Sequence, residues 1–266
     1  MKGHTARKRF GQHFLHDPHV IEKIINCIPA AVDRVIVEIG PGLGALTEPL
    51  LKTCPQLELI EIDRDLIARL RQQLQDYPTL QIHEADVLQF DFSRYAANRA
   101  FIIGNLPYNI STPVIFHLLD SIAYIDGMLF MLQKEVVERI GATSGGKDYG
   151  RLSVMIQAQC RVEKMFDVKP GAFSPPPGVD SSVVLITPAA DTRPAIADPT
   201  LFADIVAAAF SQRRKKISNS LAQFIDKAQL EQINIPAHHR AEVVTVDDYI
   251  KIANRVYADN TTVANY

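Results

Sequence analysis

No apolar run in the sequence approaches the roughly 20 residues of a membrane span. The N-terminus is basic but lacks the apolar centre of a signal peptide, so a cytoplasmic protein with no membrane partner is expected. Cysteine is scarce. Cys27, Cys54 and Cys160 are odd in number and far apart, which excludes a disulfide framework and offers no metal-ligand spacing. Small buried thiols in a reducing compartment, and no bound metal, are expected. A Walker pattern ending in Gly-Lys-Ser/Thr is also missing, so nothing cradles a triphosphate. Nor is there an excess of positive charge to mark a nucleic-acid binder. The formal net charge is −2 and the pI about 6.4.

The distribution of charge says otherwise. Residues 1–16 carry Lys2, Arg7, Lys8 and Arg9 and no acid. Residues 17–186 hold 15 basic and 21 acidic side chains. Residues 187–266 hold nine of each, yet Arg213, Arg214, Lys215 and Lys216 are consecutive. Two basic clusters therefore flank an acidic body; Arg213 to Lys216 read as phosphate contacts, and Arg7, Lys8 and Arg9 as RNA-binding residues. Apolar residues make up 47% of the 266, which suits one large globular domain or a main domain with a satellite.

The middle of the chain alternates strands and helices. Strands are expected at 35–39, 57–62, 80–83, 101–104 and 128–132, with a closing pair at 162–168 and 183–187. Helices are expected at 64–75, 113–119, 134–140 and 151–160. Such alternation predicts an α/β fold with a mostly parallel, Rossmann-like sheet. The stretch 143–150, rich in Gly and polar residues, is expected to be mobile. The Pro-rich stretch 170–180 is expected to be a loop. After Pro188 only helical spacing remains, at 201–210, 217–225, 227–233 and 246–256. The expected domains are 1–188, a smaller all-helical 189–260, and a disordered tail 261–266.

Glu38-Ile39-Gly40-Pro41-Gly42-Leu43-Gly44 runs from the first strand into a helix. Gly40 and Gly42 permit a tight turn and a close ligand approach. Glu61 ends the second strand, 21 residues after Gly40. A carboxylate there accepts from ribose hydroxyls. Asp86 follows the third strand and suits the exocyclic amine of an adenine. A nucleoside without a phosphate chain fits, and S-adenosyl-L-methionine is such a ligand.

Asn105-Leu106-Pro107-Tyr108 closes the fourth strand. Beside a methyl donor, the Asn105 side-chain oxygen and the Leu106 carbonyl would accept N–H bonds from an aromatic amine. That would draw the nitrogen toward tetrahedral geometry and aim its lone pair at the methyl group. Pro107 fixes φ and holds the carbonyl still. Tyr108 would stack on the base, and Phe173 in the Pro-rich loop would form a second aromatic wall.

These segments, with Lys8 to Leu15, Ala172 to Pro177, Val179-Asp180-Ser181 and Phe210 to Lys215, carry a resemblance over nearly the whole chain. It resembles the ribosomal RNA adenine dimethyltransferase family. The resemblance implies N6-dimethylation of two adjacent adenosines near the 3′ end of 16S (small-subunit) rRNA during ribosome biogenesis. The implied partner is that rRNA in a pre-30S particle, and a monomer is expected. His13, Leu15, Gly40, Glu61, Asp86 and Asn105 are implied to contact the cofactor, and Tyr108 and Phe173 the target base. His13 departs from the Asn found in many members. Two alternatives keep the same turn or fold: a large-subunit rRNA methyltransferase of the macrolide-resistance type, and a non-catalytic assembly factor.

Overall fold

The computed structural model describes residues 13–29, 34–54, 56–189, 193–212 and 214–263. Arg7, Lys8, Arg9 and Arg213 lie outside these. Strand β1 (Phe14–Leu15) leads into helix α1 (Pro18–Asn26). Asp17 caps that helix by accepting from the His19 and Val20 N–H groups at 2.9 and 3.2 Å, with Pro18 in the first turn. There follow β2 (Ile36–Ile39), α2 (Thr47–Thr53), β3 (Leu57–Glu61), α3 (Arg64–Gln73), β4 (Gln81–Glu84), β5 (Ala100–Asn105) and α4 (Ser111–Asp120). Next come β6 (Ile125–Gln133), α5 (Lys134–Ile140), α6 (Arg151–Gln157), β7 (Cys160–Val168), β8 (Phe173–Ser174) and β9 (Ser181–Pro188). Helices α7 (Pro199–Ser211), α8 (Ile217–Ser220), α9 (Lys227–Gln232) and α10 (Val246–Val263) complete the chain.

Seven strands form one sheet in the order β4-β3-β2-β5-β6-β9-β7. Pairing is parallel from β4 to β6, and β9 runs antiparallel to β6. All four residues of β2 are buried, as expected for a central strand covered on both faces. Alternate residues supply one core face: Leu57 and Leu59, Phe101 and Ile103, Leu129 and Met131. Ile24, Leu46 and Leu50 pack in the same cluster. From β2 the chain moves to β3 on one side and later returns to β5 on the other. That reversal opens a crevice at the carboxyl ends of β2 and β5.

The chain divides into two compact units, one of Met1–Val137 with Glu163–Pro188, the other of Glu138–Val162 with Ala189–Tyr266. The expected boundary at 189 therefore leaves out 138–162, which clusters with the C-terminal helices. Its side chains explain this. Tyr149 is buried, donates to the Val244 carbonyl at 3.0 Å, and meets the Phe210 ring edge-on at 6.1 Å. The Gly145 N–H donates to the Glu242 carbonyl at 2.7 Å. The stretch 143–150, expected to be mobile, is thus tied into this unit. Phe210 also packs on Tyr249, whose hydroxyl donates to the Ala241 carbonyl at 2.9 Å.

The expected tail also differs. Residues 261–263 continue α10, and only 264–266 lie outside the described residues. Thr261 and Thr262 return their hydroxyl hydrogens to the Tyr257 and Ala258 carbonyls at 3.0 and 2.8 Å, so the last turn keeps its acceptors occupied. Among the described residues no helix is long and apolar enough to cross a membrane.

Candidate active site

A cavity of about 330 Å³ opens at the carboxyl ends of β2, β3 and β5. Its wall includes His13, Leu15, Gly40, Gly42, Glu61, Asp86 and Asn105, the residues expected to hold a cofactor. Leu106, Pro107 and Tyr108 line it as well. Strand register brings them together. Ile39 is level with Ile60, so the Gly-rich turn and Glu61 leave the sheet side by side. Gly40 and Gly42 have φ of +65° and +58°, the left-handed region that suits glycine. A Cβ on Gly40 would meet nothing within 4 Å, so that face stays open to the cavity.

Glu61 is buried but well supported. Its Oε1 accepts from the Ile62 and Asp63 N–H groups, both at 2.9 Å. Burial pushes its pKa up, and the Asp63, Ile62 and Gly42 amides oppose that shift. Asp86 caps the following 3₁₀ turn through one oxygen, accepting from the Leu88 N–H at 3.0 Å. Its other oxygen accepts no hydrogen bond among the described residues.

Asn105 sits where β5 presses closely on β2. A Cβ on the preceding Gly104 would lie 2.7 Å from the Ile39 carbonyl, so only glycine fits. The Asn105 Nδ2 donates to the His13 backbone carbonyl at 2.9 Å. Because a carbonyl only accepts, the opposite end of the amide must be its oxygen. In the turn beyond, the Pro107 carbonyl accepts from the Ile110 and Ser111 N–H groups at 3.1 and 3.0 Å. The His13 ring lies 5.6 Å from that of Tyr108, tilted by 31°.

Phe173 departs from expectation. It is only 3% exposed, belongs to the hydrophobic core cluster, and is absent from the cavity wall. The segment expected to be a loop contains β8, which pairs antiparallel with β1 and sets Phe173 against Leu15. Arg214, Lys215 and Lys216 are exposed in the other unit, just before α8.

Glu38 is a site residue that the sequence reading misses. It is 2% exposed in the middle of β2, yet it lines the cavity. The Thr47 hydroxyl donates to its Oε2 at 2.6 Å. Burial raises its pKa to about 7, the Thr47 bond opposes this, and the nearby Glu61 charge adds to it. An acid inside an otherwise apolar strand is the available signal.

The wall carries three carboxylates, Glu38, Glu61 and Asp86, and no Lys or Arg among the described residues. That set of acceptors suits a cationic nucleoside and opposes a phosphorylated one.

A model of the "Ribosomal RNA adenine dimethylase" family matches residues 3–258. The chain belongs to the ribosomal RNA adenine dimethylase family. It shares 48% identity over 267 residues with a "Ribosomal RNA small subunit methyltransferase A" of Cupriavidus pinatubonensis, covering 97% of this chain and 95% of that one. A protein of the same name from Chromohalobacter salexigens is 50% identical over 260 residues, covering 95% and 92%. A solved dimethyladenosine transferase from Plasmodium falciparum has the same fold, with a TM-score of 0.81 at 24% identity over 93% of this chain and 98% of that one. So does the 23S rRNA methyltransferase ErmE, with 0.71 at 24% over 92% and 99%. As a ribosomal RNA adenine dimethylase, the chain is a methyltransferase that uses S-adenosyl-L-methionine.

Glu38 leads to a first prediction. Its folded-state pKa of about 7 lies above the ordinary 4.5. Between those values the folded protein holds a proton that the unfolded chain has lost. Stability of the ligand-free protein therefore falls as pH rises through this window, by up to about 3 kcal/mol. Glu38→Gln should remove that penalty. Its Tm should match wild type near pH 4.5 and exceed it by several degrees at pH 8, while cofactor affinity drops. Equal Tm values at pH 8 would show that the fold does not oppose this charge.

Proposed function

We propose that this protein dimethylates N6 of two adjacent adenosines near the 3′ end of small-subunit rRNA, within a pre-30S particle in the cytoplasm. The observation that carries the reading is the orientation of Asn105. Its Nδ2 is committed to the His13 carbonyl, so its oxygen is the end left for an incoming amine. The cavity supports S-adenosyl-L-methionine beside it. That cofactor supplies an electrophilic methyl group on a positively charged sulfur.

The chain's own residues do the positioning. Asn105 Oδ1 and the Leu106 carbonyl accept the two N–H bonds of the target amine. Pro107, bonded to the Leu106 carbonyl, fixes the turn, and its own carbonyl anchors the start of α4 through Ser111. Tyr108 offers its ring face to the base. Glu61 holds the ribose, Asp86 the adenine amine, and Glu38 places negative charge near the cationic arm. Catalysis is mainly alignment. No strong base is required, because the methylated amine is acidic enough to lose its proton to water.

The small-subunit assignment draws on the names of the relatives and on the segments 8–15 and 172–181. Purified protein should methylate small-subunit rRNA in an incomplete particle and leave large-subunit rRNA untouched. The opposite preference would replace this reading with the macrolide-resistance type.

The helical unit is proposed to grip rRNA through the segment 213–216. Changing Arg214, Lys215 and Lys216 to Gln should weaken rRNA binding. The slope of log K against log salt should fall by about one for each phosphate no longer neutralised. Cofactor affinity, titrated in parallel, should not change. A matching loss of cofactor binding would mean that the segment serves the fold.

A further inference from the structure

Val179-Asp180-Ser181 stands out in the sequence, yet nothing in the reaction just described uses it. The structure gives Ser181 a partner in the catalytic turn. Its hydroxyl lies 2.8 Å from the Tyr108 hydroxyl, and Ser181 itself is fully buried. It does not line the cavity, so any effect on the reaction must pass through Tyr108. We propose that Ser181 is a positioning residue that fixes the ring plane of Tyr108, the platform for the target adenine. The inference rests on the amine-methylation reading given above.

Tyr108 is held at its root by the turn. The Ser111 hydroxyl donates to the Tyr108 carbonyl at 3.2 Å, and the Pro107 carbonyl anchors the helix start. A root alone leaves the ring free to swing about its Cα–Cβ and Cβ–Cγ bonds. The phenol tip supplies the second tether, and its anchor is rigid. Ser181 opens β9 in register with Gln133 of β6. The preceding Asp180 takes the Lys134 N–H on its carbonyl at 3.0 Å and the Lys169 ammonium on its carboxylate at 2.6 Å. The ring thus bridges two parts of the sheet, the turn after β5 and the start of β9.

What faces the ring shows why the plane matters. The His13 ring lies at 5.6 Å and 31°, and is itself held by Nδ1 against the Pro175 carbonyl at 2.8 Å. The Asn105 amide meets the His13 carbonyl. Tyr108, His13 and the amine acceptor therefore form one connected set. A ring that tilts would shift the base relative to the Asn105 oxygen. A hydrogen bond between neutral groups is worth a factor of about three to ten. Loss of alignment at the reacting atom should appear at that scale in kcat.

The test uses the full chain with tyrosine rings carrying carbon-13. The Tyr108 ring signal is identified by its disappearance in Tyr108→Phe. In Ser181→Ala that signal should shift while the other tyrosine signals stay in place. Methyl transfer to small-subunit rRNA should lose about three- to tenfold in kcat, with KM for the cofactor unchanged. Tyr108→Phe keeps the stacking face and lacks the hydroxyl, so it should show the same loss. The double variant should be no worse than either single one. An unmoved Tyr108 signal in Ser181→Ala would overturn the proposal, as would additive losses. If Ser181→Ala does not fold, wild-type kcat in Tyr108→Phe would overturn it. The ring signal needs no turnover, and wild-type activity on the rRNA reports separately on the function.

Discussion

Asn105→Ala should lower the rate of methyl transfer by roughly 10² to 10³ and leave rRNA binding intact. The magnitude follows from removing one preorganised hydrogen-bond partner at the reacting atom. The geometry makes Asn105 hard to replace. Gly104 lets β5 approach the Ile39 carbonyl, so the Asn105 Cα cannot drift away from β2. Its Nδ2 is held by the His13 carbonyl at 2.9 Å, which aims the oxygen. Ala removes both the acceptor and the tether on His13. Asn105→Asp separates the two, because it retains acceptor oxygens but sets one against the His13 carbonyl. It should fall between Ala and wild type. Single-turnover transfer of a labelled methyl group, beside particle binding by sedimentation, measures both quantities. A wild-type rate in Asn105→Ala would remove Asn105 from the mechanism. Loss of particle binding in step with the rate would make it a folding residue.

Much of the parallel sheet is legible because buried parallel strands read as short apolar runs. The runs at 57–62, 101–104 and 128–132 contain or overlap β3, β5 and β6. Boundaries slip where side chains decide them. Strand β6 extends to Ile125 because Gly127 sits against the Phe101 ring, where a Cβ would lie 2.8 Å away. Strand β4 runs one residue later than expected, because its register follows Glu61 opposite Glu84. The pairing of β1 with β8 is not legible. Two-residue strands have no period, and their partners are separated by more than 150 residues of sequence.

The candidate site shows the same division. Residues on consecutive strand ends, Gly40, Glu61, Asp86 and Asn105, are readable because the parallel order places those ends together. Phe173, expected as a wall, is instead core, since its direction is set by the β1 pairing. Glu38 and Ser181 lie within motifs whose spacing assigns them no role. For Glu38 the signal is a place in the cavity wall reached from inside a buried strand. For Ser181 it depends on the distance to Tyr108, a contact between residues 73 apart in sequence.

Glu61→Ala should weaken S-adenosyl-L-methionine binding by roughly 10² to 10⁴. Hydrogen bonds to a charged group contribute about 1.5–3 kcal/mol each, and ribose brings two hydroxyls to the same carboxylate. Its neighbours prepare it for this task. The backbone N–H groups of Ile62 and Asp63 keep the side chain oriented, and with that of Gly42 they counter the effect of burial on its charge. Glu61→Gln separates the charge from the presence of an acceptor. It retains an acceptor near the N–H groups while weakening the bonds to ribose, so its affinity should lie between Ala and wild type. Calorimetric titration with the cofactor gives both values. Titration with the demethylated thioether product separates ribose from charge, because the product keeps the ribose and lacks the sulfonium. Both ligands should lose affinity equally in Glu61→Gln. In Glu38→Gln the cationic cofactor should lose more than the product. If Glu61→Gln instead discriminated between the two, Glu61 would be answering the sulfonium charge, and the ribose would have to be held elsewhere on the cavity wall.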